Sequence, residues 1–255
     1  MDNINNAVEV RNLVKKYGDF KAVNDVSFNV KKGEIFAFLG PNGAGKTTTV
    51  KVLTGLLKPT SGEAEILGMN VLTEMDSIKN RIGFVPDQPY VYPYLTAFEY
   101  MRIIGDIYKV PMDQQRKMIP ELLEMFSLDD RADKIIDSFS HGMKQKLVIS
   151  GVLLHKPEVM FLDEPLVGLD PKSARIVKDI FTRLSSQGTT LFMCTHVLEI
   201  AQKIADRICI VNDGKILALD TFENLQKKDS GGSDLESIYL NITGGLAAGE
   251  LPEGL

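Results

Sequence analysis

Apolar and polar positions alternate early in the chain and then cease to. Val8-Glu9-Val10 and Val26-Ser27-Phe28-Asn29-Val30 have the period of two expected of short strands with one buried face. After the turn Lys31-Lys32-Gly33, the run Glu34-Ile35-Phe36-Ala37-Phe38-Leu39 is nearly all apolar, as in a strand covered on both sides. A glycine-rich loop follows, then a helix predicted over Thr47 to Leu57 and ended by Pro59-Thr60-Ser61-Gly62. Another strand is expected at Ile82 to Pro86. From about Pro86 to Asp137 long apolar side chains recur at helical spacing, with Pro93, Pro111 and Pro120 as breaks, which predicts an inserted helical lobe.

Strands and helices alternate again afterwards. Val159 to Leu162 and Thr189 to Cys194 read as buried strands. Val177, Ile180, Phe181 and Leu184 mark one helix face, and Val197, Ile200, Ala201 and Ile204 another. Ile208 to Val211 and Ile216 to Leu219 flank Asp213-Gly214, a hairpin signature. Lys227 to Gly232 has the composition of a flexible linker. Ser233-Asp234-Leu235-Glu236 has capping-box spacing and predicts a short helix to Thr243, stopped by Gly244, with residues 246–255 frayed.

Composition narrows the class. The 255 residues suffice for one large or two small domains, and 44% hydrophobic with 25% charged is an ordinary globular balance. A net charge of −5 argues against non-specific binding of nucleic acid or anionic lipid. The two cysteines, Cys194 and Cys209, form no C-x-x-C pair and sit in apolar strands, which suits a reducing compartment. Residues 1–9 lack an apolar signal core, and no run reaches the roughly 18 apolar residues of a spanning helix. Any membrane role is therefore expected to come through a partner.

The chemistry concentrates at two strand ends. Gly40-Pro41-Asn42-Gly43-Ala44-Gly45-Lys46-Thr47, with Thr48 after it, fits G-x-x-x-x-G-K-[ST]. Glycines let backbone N–H groups wrap an anion, Lys46 supplies a cation for the β- and γ-phosphates of ATP, and the Thr47 hydroxyl can ligate Mg²⁺. A strand enters and a helix leaves, so the helix N-terminus adds to the anion site. Asp163-Glu164 follows the strand Val159 to Leu162, where a parallel sheet presents its ligands. There Asp163 could hold Mg²⁺ and Glu164 could deprotonate water. Without the phosphate loop, the plainer reading of this pair would be solvated carboxylates before a Pro165 turn.

Together these residues resemble the nucleotide-binding subunit of ABC transporters, over roughly residues 8–220. Ser138-Phe139-Ser140-His141-Gly142-Met143-Lys144-Gln145-Lys146 is similar to the family's signature, Gly168-Leu169-Asp170 to its D-loop, His196 to its switch histidine and Tyr17 to its adenine-stacking aromatic. Taken singly, Tyr17 could be a strand-end aromatic, His196 a core or capping histidine, and Ser140 an N-cap. The resemblance implies an α/β fold: a P-loop NTPase core with an N-terminal antiparallel β subdomain and an α-helical subdomain inserted at about residues 87–140. It places the ATPase domain at residues 1–226, with a linker, short helix and tail at 227–255.

It further implies a Mg²⁺-dependent ATPase. Glu164 and His196 are its catalytic residues, and Thr47, Asp163 and either Asp87 or Gln88 its metal ligands. Ser140 and Gly142 reach the ATP of a second ABC subunit, in a homodimer or heterodimer with Asp170 at the contact. The implied work is to energise an integral membrane permease from the cytoplasmic face, with export favoured by the Ser-His-Gly-Met-Lys-Gln and Pro-Asp-Gln variants. The rival is a soluble ABC ATPase acting on a ribosome or DNA. Three departures stand out: Asp87 occupies the family's glutamine position, His141 and Met143 replace a signature glycine and glutamine, and Leu166 stands where a small hydroxyl residue is usual.

Overall fold

In a computed structural model of the chain, residues 5–228 and 234–244 are described. The alternating N-terminal segments pair as long strands, β1 (Asn6–Tyr17) with β2 (Phe20–Lys31), and not as the short ones expected. β1 also pairs with β4 (Ser61–Ile66), which pairs with β5 (Met69–Asn70), completing a four-stranded antiparallel sheet. β4 overlaps residues expected only to terminate a helix. Its alternation, Ala64 and Ile66 buried between exposed or half-exposed glutamates, was available in the sequence.

The second sheet has six strands in the order β10-β9-β3-β8-β7-β6: β3 (Ile35–Leu39), β6 (Ile82–Val85), β7 (Val159–Asp163), β8 (Thr190–Thr195), β9 (Arg207–Asn212) and β10 (Lys215–Asp220). The first five in chain order run parallel, and β10 closes the expected hairpin with Asp213 and Gly214 in left-handed conformation. The apolar runs are explained by two cores. Ala37, Leu39, Met160, Leu162, Leu191 and Met193 face the helices. Their neighbours Phe36, Phe38, Phe161, Phe192, Cys194 and Cys209 face the antiparallel sheet. Phe28 joins Phe36, Phe38 and Phe192 there, with Phe161 against Phe192, at ring-centroid distances of 5.4 to 5.7 Å. Both cysteines are buried free thiols, and burial raises their pKa values.

α1 (Lys46–Leu53) is shorter than expected: Thr54 caps it and Gly55 turns left-handed, with φ 73°. α2 (Met75–Lys79) precedes β6. The region expected to be helical contains α3 (Ala97–Ile107), begun by a Thr96/Glu99 capping box, and α4 (Met112–Met125). Single 3₁₀ turns at Asp129–Arg131 and Ile136–Ser138 follow. Pro111 starts α4, but Pro120 lies within it and does not break it. Pro120 is exposed while Ile119, Leu122 and Leu123 are buried, so packing offsets the lost backbone bond. α5 (His141–Leu154), α6 (Pro171–Ser186) and α7 (Leu198–Ile204) cover the parallel sheet.

α8 (Phe222–Lys228) takes in Lys227 and Lys228, so the linker predicted from Lys227 does not begin there; its remainder lies outside the described residues. α9 (Leu235–Thr243) ends at left-handed Gly244 as expected, but its N-cap is Asp234; Ser233 and residues 246–255 also lie outside the described residues. Leu235 and Ile238 of α9 enter the helix-side core.

A buried ion pair joins the two sheets. Arg207 Nη1 donates to Asn29 O at 3.1 Å and lies 3.3 Å from Glu34 Oε1, while Glu34 Oε2 accepts from Lys31 N at 2.6 Å. Burial raises the Glu34 pKa, and the Lys31 amide and Arg207 oppose it. Removing the cation strands a buried carboxylate. Arg207→Met is therefore expected to destabilise the fold by about 3 kcal/mol in urea unfolding, with Arg207→Lys losing less.

Candidate nucleotide site

The site lies where three central strands end. β3 runs into the phosphate loop, β8 into Thr195-His196 and β7 into Asp163-Glu164; the register pairs Leu39 with Thr195 and Asp163 with Cys194. Gly40 N donates to Thr195 O at 3.4 Å and Glu164 N to Cys194 O at 2.9 Å, so backbone bonds lock the three loops together.

Within the phosphate loop Gly43 and Gly45 have φ of 87° and 97°. A side chain at Gly45 would also run into the Ala22 carbonyl of β2, so only glycine fits there. Gly45 is the N-cap of α1, leaving the amides of Lys46, Thr47 and Thr48 at the helix start without intrahelical acceptors. Lys46 is 6% exposed. Its Nζ donates to Gly40 O at 2.7 Å and Pro41 O at 3.1 Å, and stands 3.9 Å from Glu164 Oε1.

The two acidic residues differ in environment. Asp163 is 1% exposed, and neither carboxylate oxygen has a hydrogen-bond partner of ordinary geometry. Burial raises its pKa, as do Asp87 and Glu164; the Thr47 hydroxyl and Lys46 act the other way. A buried carboxylate without partners beside a hydroxyl is a hard-oxygen donor set that suits Mg²⁺. Glu164 is instead engaged. It sits in left-handed conformation (φ 49°), with Oε2 accepting from Thr195 Oγ1 at 3.0 Å and Oε1 2.7 Å from His196 Nδ1.

Asp87 lines a crevice of about 470 Å³ with Thr47, Asp163, Phe84, Tyr90, Tyr100 and Tyr108. Gln88 does not line it; its amide donates to Asp87 Oδ1 at 2.7 Å. Tyr90, Tyr92 and Tyr94 are all strongly exposed on the loop that follows. A second cleft, of about 250 Å³, is lined by Tyr17, Phe20, Ala22 and phosphate-loop residues from Pro41 to Thr48. Phe20 is the direct cross-strand partner of Tyr17, and Lys15 Nζ lies 5.3 Å from the Tyr17 ring centroid.

Ser140, Gly142 and Asp170 line neither cleft. Ser140 caps α5 by accepting from Met143 N at 3.3 Å, and α5 has no acidic residue in its first turn. A side chain at Gly142 would meet Gly168 O at 2.5 Å, so glycine there permits close contact with the 166–169 segment. Asp170 caps α6, accepting from Ser173 N at 2.9 Å, and this interaction lowers its pKa together with the Ser173 hydroxyl. Leu166 packs on the core beside Glu164 and Thr195. Sequence reasoning missed Phe20 and Thr195. The two-residue turn Gly18-Asp19 could have revealed the first, whereas nothing local marks the second.

Residues 23–167 match the ABC transporter family model. The bacitracin transport ATP-binding protein BcrA of Bacillus licheniformis is 39% identical over 87% of this chain and 72% of its own. A Nod factor export ATP-binding protein I of Burkholderia orbicola is 36% identical over 91% and 76%. Among solved structures, an ATP-binding subunit of an ABC transporter superposes with TM-score 0.88 at 30% identity, over 93% of this chain and 99% of that one. An ATP-binding cassette in a dimeric post-hydrolysis state with ADP and Pi gives TM-score 0.77 at 29% identity, over 84% and 98%. Matched in its domain, along most of its relatives' length and in three dimensions, the chain belongs to the ABC transporter family of ATP-binding proteins.

Proposed function

We propose that this ATPase hydrolyses ATP at the junction of β3, β7 and β8 and, paired with a second ABC subunit, energises export through a membrane permease. The observation that carries the catalytic assignment is Glu164, held by Thr195 and His196 with Oε1 3.9 Å from Lys46 Nζ.

The following residue roles are proposed, with the geometry in support. Lys46 exchanges the Gly40 and Pro41 carbonyls for the β- and γ-phosphates, and the amides from Gly43 to Thr48 wrap the phosphate oxygens. Tyr17 and Phe20 flank the adenine. Thr47, Asp163 and Asp87 hold Mg²⁺, which neutralises phosphate charge when bound. Glu164 accepts a proton from water as the water oxygen attacks the γ-phosphorus and the bond to the bridging oxygen of ADP breaks. His196, fixed through Glu164, donates toward the γ-phosphate oxygens. Ser140 and the α5 amides offer a second anion site that does not open on the chain's own clefts, which supports ATP being closed in by a partner subunit.

We infer peripheral attachment at the cytoplasmic face through the permease, supported by the likeness to transport ATP-binding proteins; among the described residues no helix is long and apolar enough to cross a membrane. The exposed Tyr90, Tyr92 and Tyr94 are proposed as its docking surface. Because that loop carries Asp87 into the crevice of Asp163 and Thr47, movement of the permease would act on the metal side of the site. Export is supported by the Nod factor export relative.

Glu164→Gln is expected to retain ATP binding and accumulate an ATP-bound dimer in size-exclusion chromatography, with phosphate release down at least about 100-fold. Near-normal release would remove Glu164 as the base. Asp163→Asn should abolish Mg²⁺-stimulated turnover. Without nucleotide it should also raise the melting midpoint, by about 2–4 °C for each kcal/mol of relieved burial cost, because the carboxylate charge opposes the metal-free fold. Phe20→Ala should weaken ATP binding about 3- to 10-fold in calorimetry while leaving tripolyphosphate binding unchanged. An equal loss for both ligands would place Phe20 outside the base site.

A further inference from the structure

We infer that Thr195 is a positioning residue for hydrolysis: its hydroxyl fixes the Glu164 carboxylate and so selects the oxygen that faces the attacking water. The inference rests on the reading of Glu164 as the base.

The hydrogen-bond directions are determined by chemistry. Thr195 is 2% exposed, and its Oγ1 lies 3.0 Å from Val197 N and 3.0 Å from Glu164 Oε2. The Val197 amide can only donate, so the hydroxyl must accept from it. The single hydroxyl proton is then left for the carboxylate, which can only accept when ionised. The chain of donors therefore runs one way, from Val197 N–H through Thr195 O–H to Glu164 Oε2. That bond occupies Oε2 and leaves Oε1 as the oxygen beside His196 Nδ1 and Lys46 Nζ, at 2.7 and 3.9 Å.

Thr195 is itself anchored. It ends the central strand β8, its carbonyl accepts from Gly40 N at the mouth of the phosphate loop, and the Glu164 amide is tied to the preceding Cys194 carbonyl. One residue thus measures the separation of base and phosphate loop. Without this bond the carboxylate is held only at Oε1, by the half-exposed His196, and can turn about its terminal torsion, which is broad for glutamate. Proton abstraction requires the acceptor oxygen within hydrogen-bond reach of the water, so rotation lowers the fraction of bound ATP in a reactive arrangement. The apolar surroundings do not replace the bond: the Thr195 side borders Pro165, Leu166, Val197 and Ile200.

The test compares Thr195→Val, similar in shape but without the hydroxyl, with Thr195→Ser, which keeps it. Glu164→Gln is run in parallel on the full chain, and Mg²⁺-ATPase turnover, ATP affinity and melting temperature are measured for each. Thr195→Val is expected to lower kcat about 10- to 100-fold with KM for ATP within twofold, and Thr195→Ser to recover most of the turnover. If Thr195→Val does not fold, Thr195→Cys, close in size and a weak donor, takes its place with the same expectation. A loss seen equally in the serine variant, a loss carried by KM, or unchanged kcat in the valine or cysteine variant overturns the inference. Failure of the underlying reading is separate: Glu164→Gln itself would then keep its turnover.

Discussion

The parallel register of β3, β8 and β7 is the constraint on which the site depends. Side chains alternate across a strand, so a slip of one residue would send each strand's buried set to the opposite face. Here both faces are filled, aliphatic and methionine side chains on the helix side and a cluster of phenylalanines on the other, and the two sets differ in shape. Phe192 touches four other rings and cannot exchange places with Met193 without emptying one core and overfilling the other. This packing fixes where each strand ends. Gly40, Thr195 and Asp163 then arrive at the same end of the sheet, and backbone bonds between the loops complete the alignment.

Buried charge is handled in two opposite ways in this molecule. Glu34 has a backbone amide and a guanidinium on its two oxygens, so its burial ties the sheets together. Asp163 is as deeply buried and has neither. Its neighbours Asp87 and Glu164 make the position less favourable for a lone carboxylate. Such an arrangement costs stability without a cation and returns it with one. The contrast fits a structural part for Glu34 and the metal-holding part proposed for Asp163.

Much of this was legible in the sequence, for local reasons. The phosphate loop is contiguous and its glycines have no substitute, as Gly45 against the Ala22 carbonyl illustrates. Continuous apolar runs identified the parallel strands because both faces are covered. β4 was lost because its alternation follows immediately on turn residues, and Pro120 misled because helix-breaking strength is a local property while α4 is held by Ile119, Leu122 and Leu123. The roles proposed for Phe20 and Thr195 depend on pairing with Tyr17 and Glu164, one across a hairpin and the other between neighbouring strand ends. Asp87 could be separated from Gln88 only once the loop was folded, since both follow the same strand end.

On the proposed pairing, the two helix starts account for a site shared between two copies. α1 and α5 both begin without an acidic residue in the first turn, so each leaves uncompensated amides and a favourable potential for an anion. At α1 the anion site is walled by Lys46 and the strand ends. At α5 nothing comparable encloses it: Ser140 is an exposed cap, and the close approach of Gly142 to Gly168 sets the helix start against the segment that leads from Glu164 to Asp170. On the proposed pairing, the helix start that meets the partner's nucleotide therefore touches, within its own chain, the segment between Glu164 and Asp170.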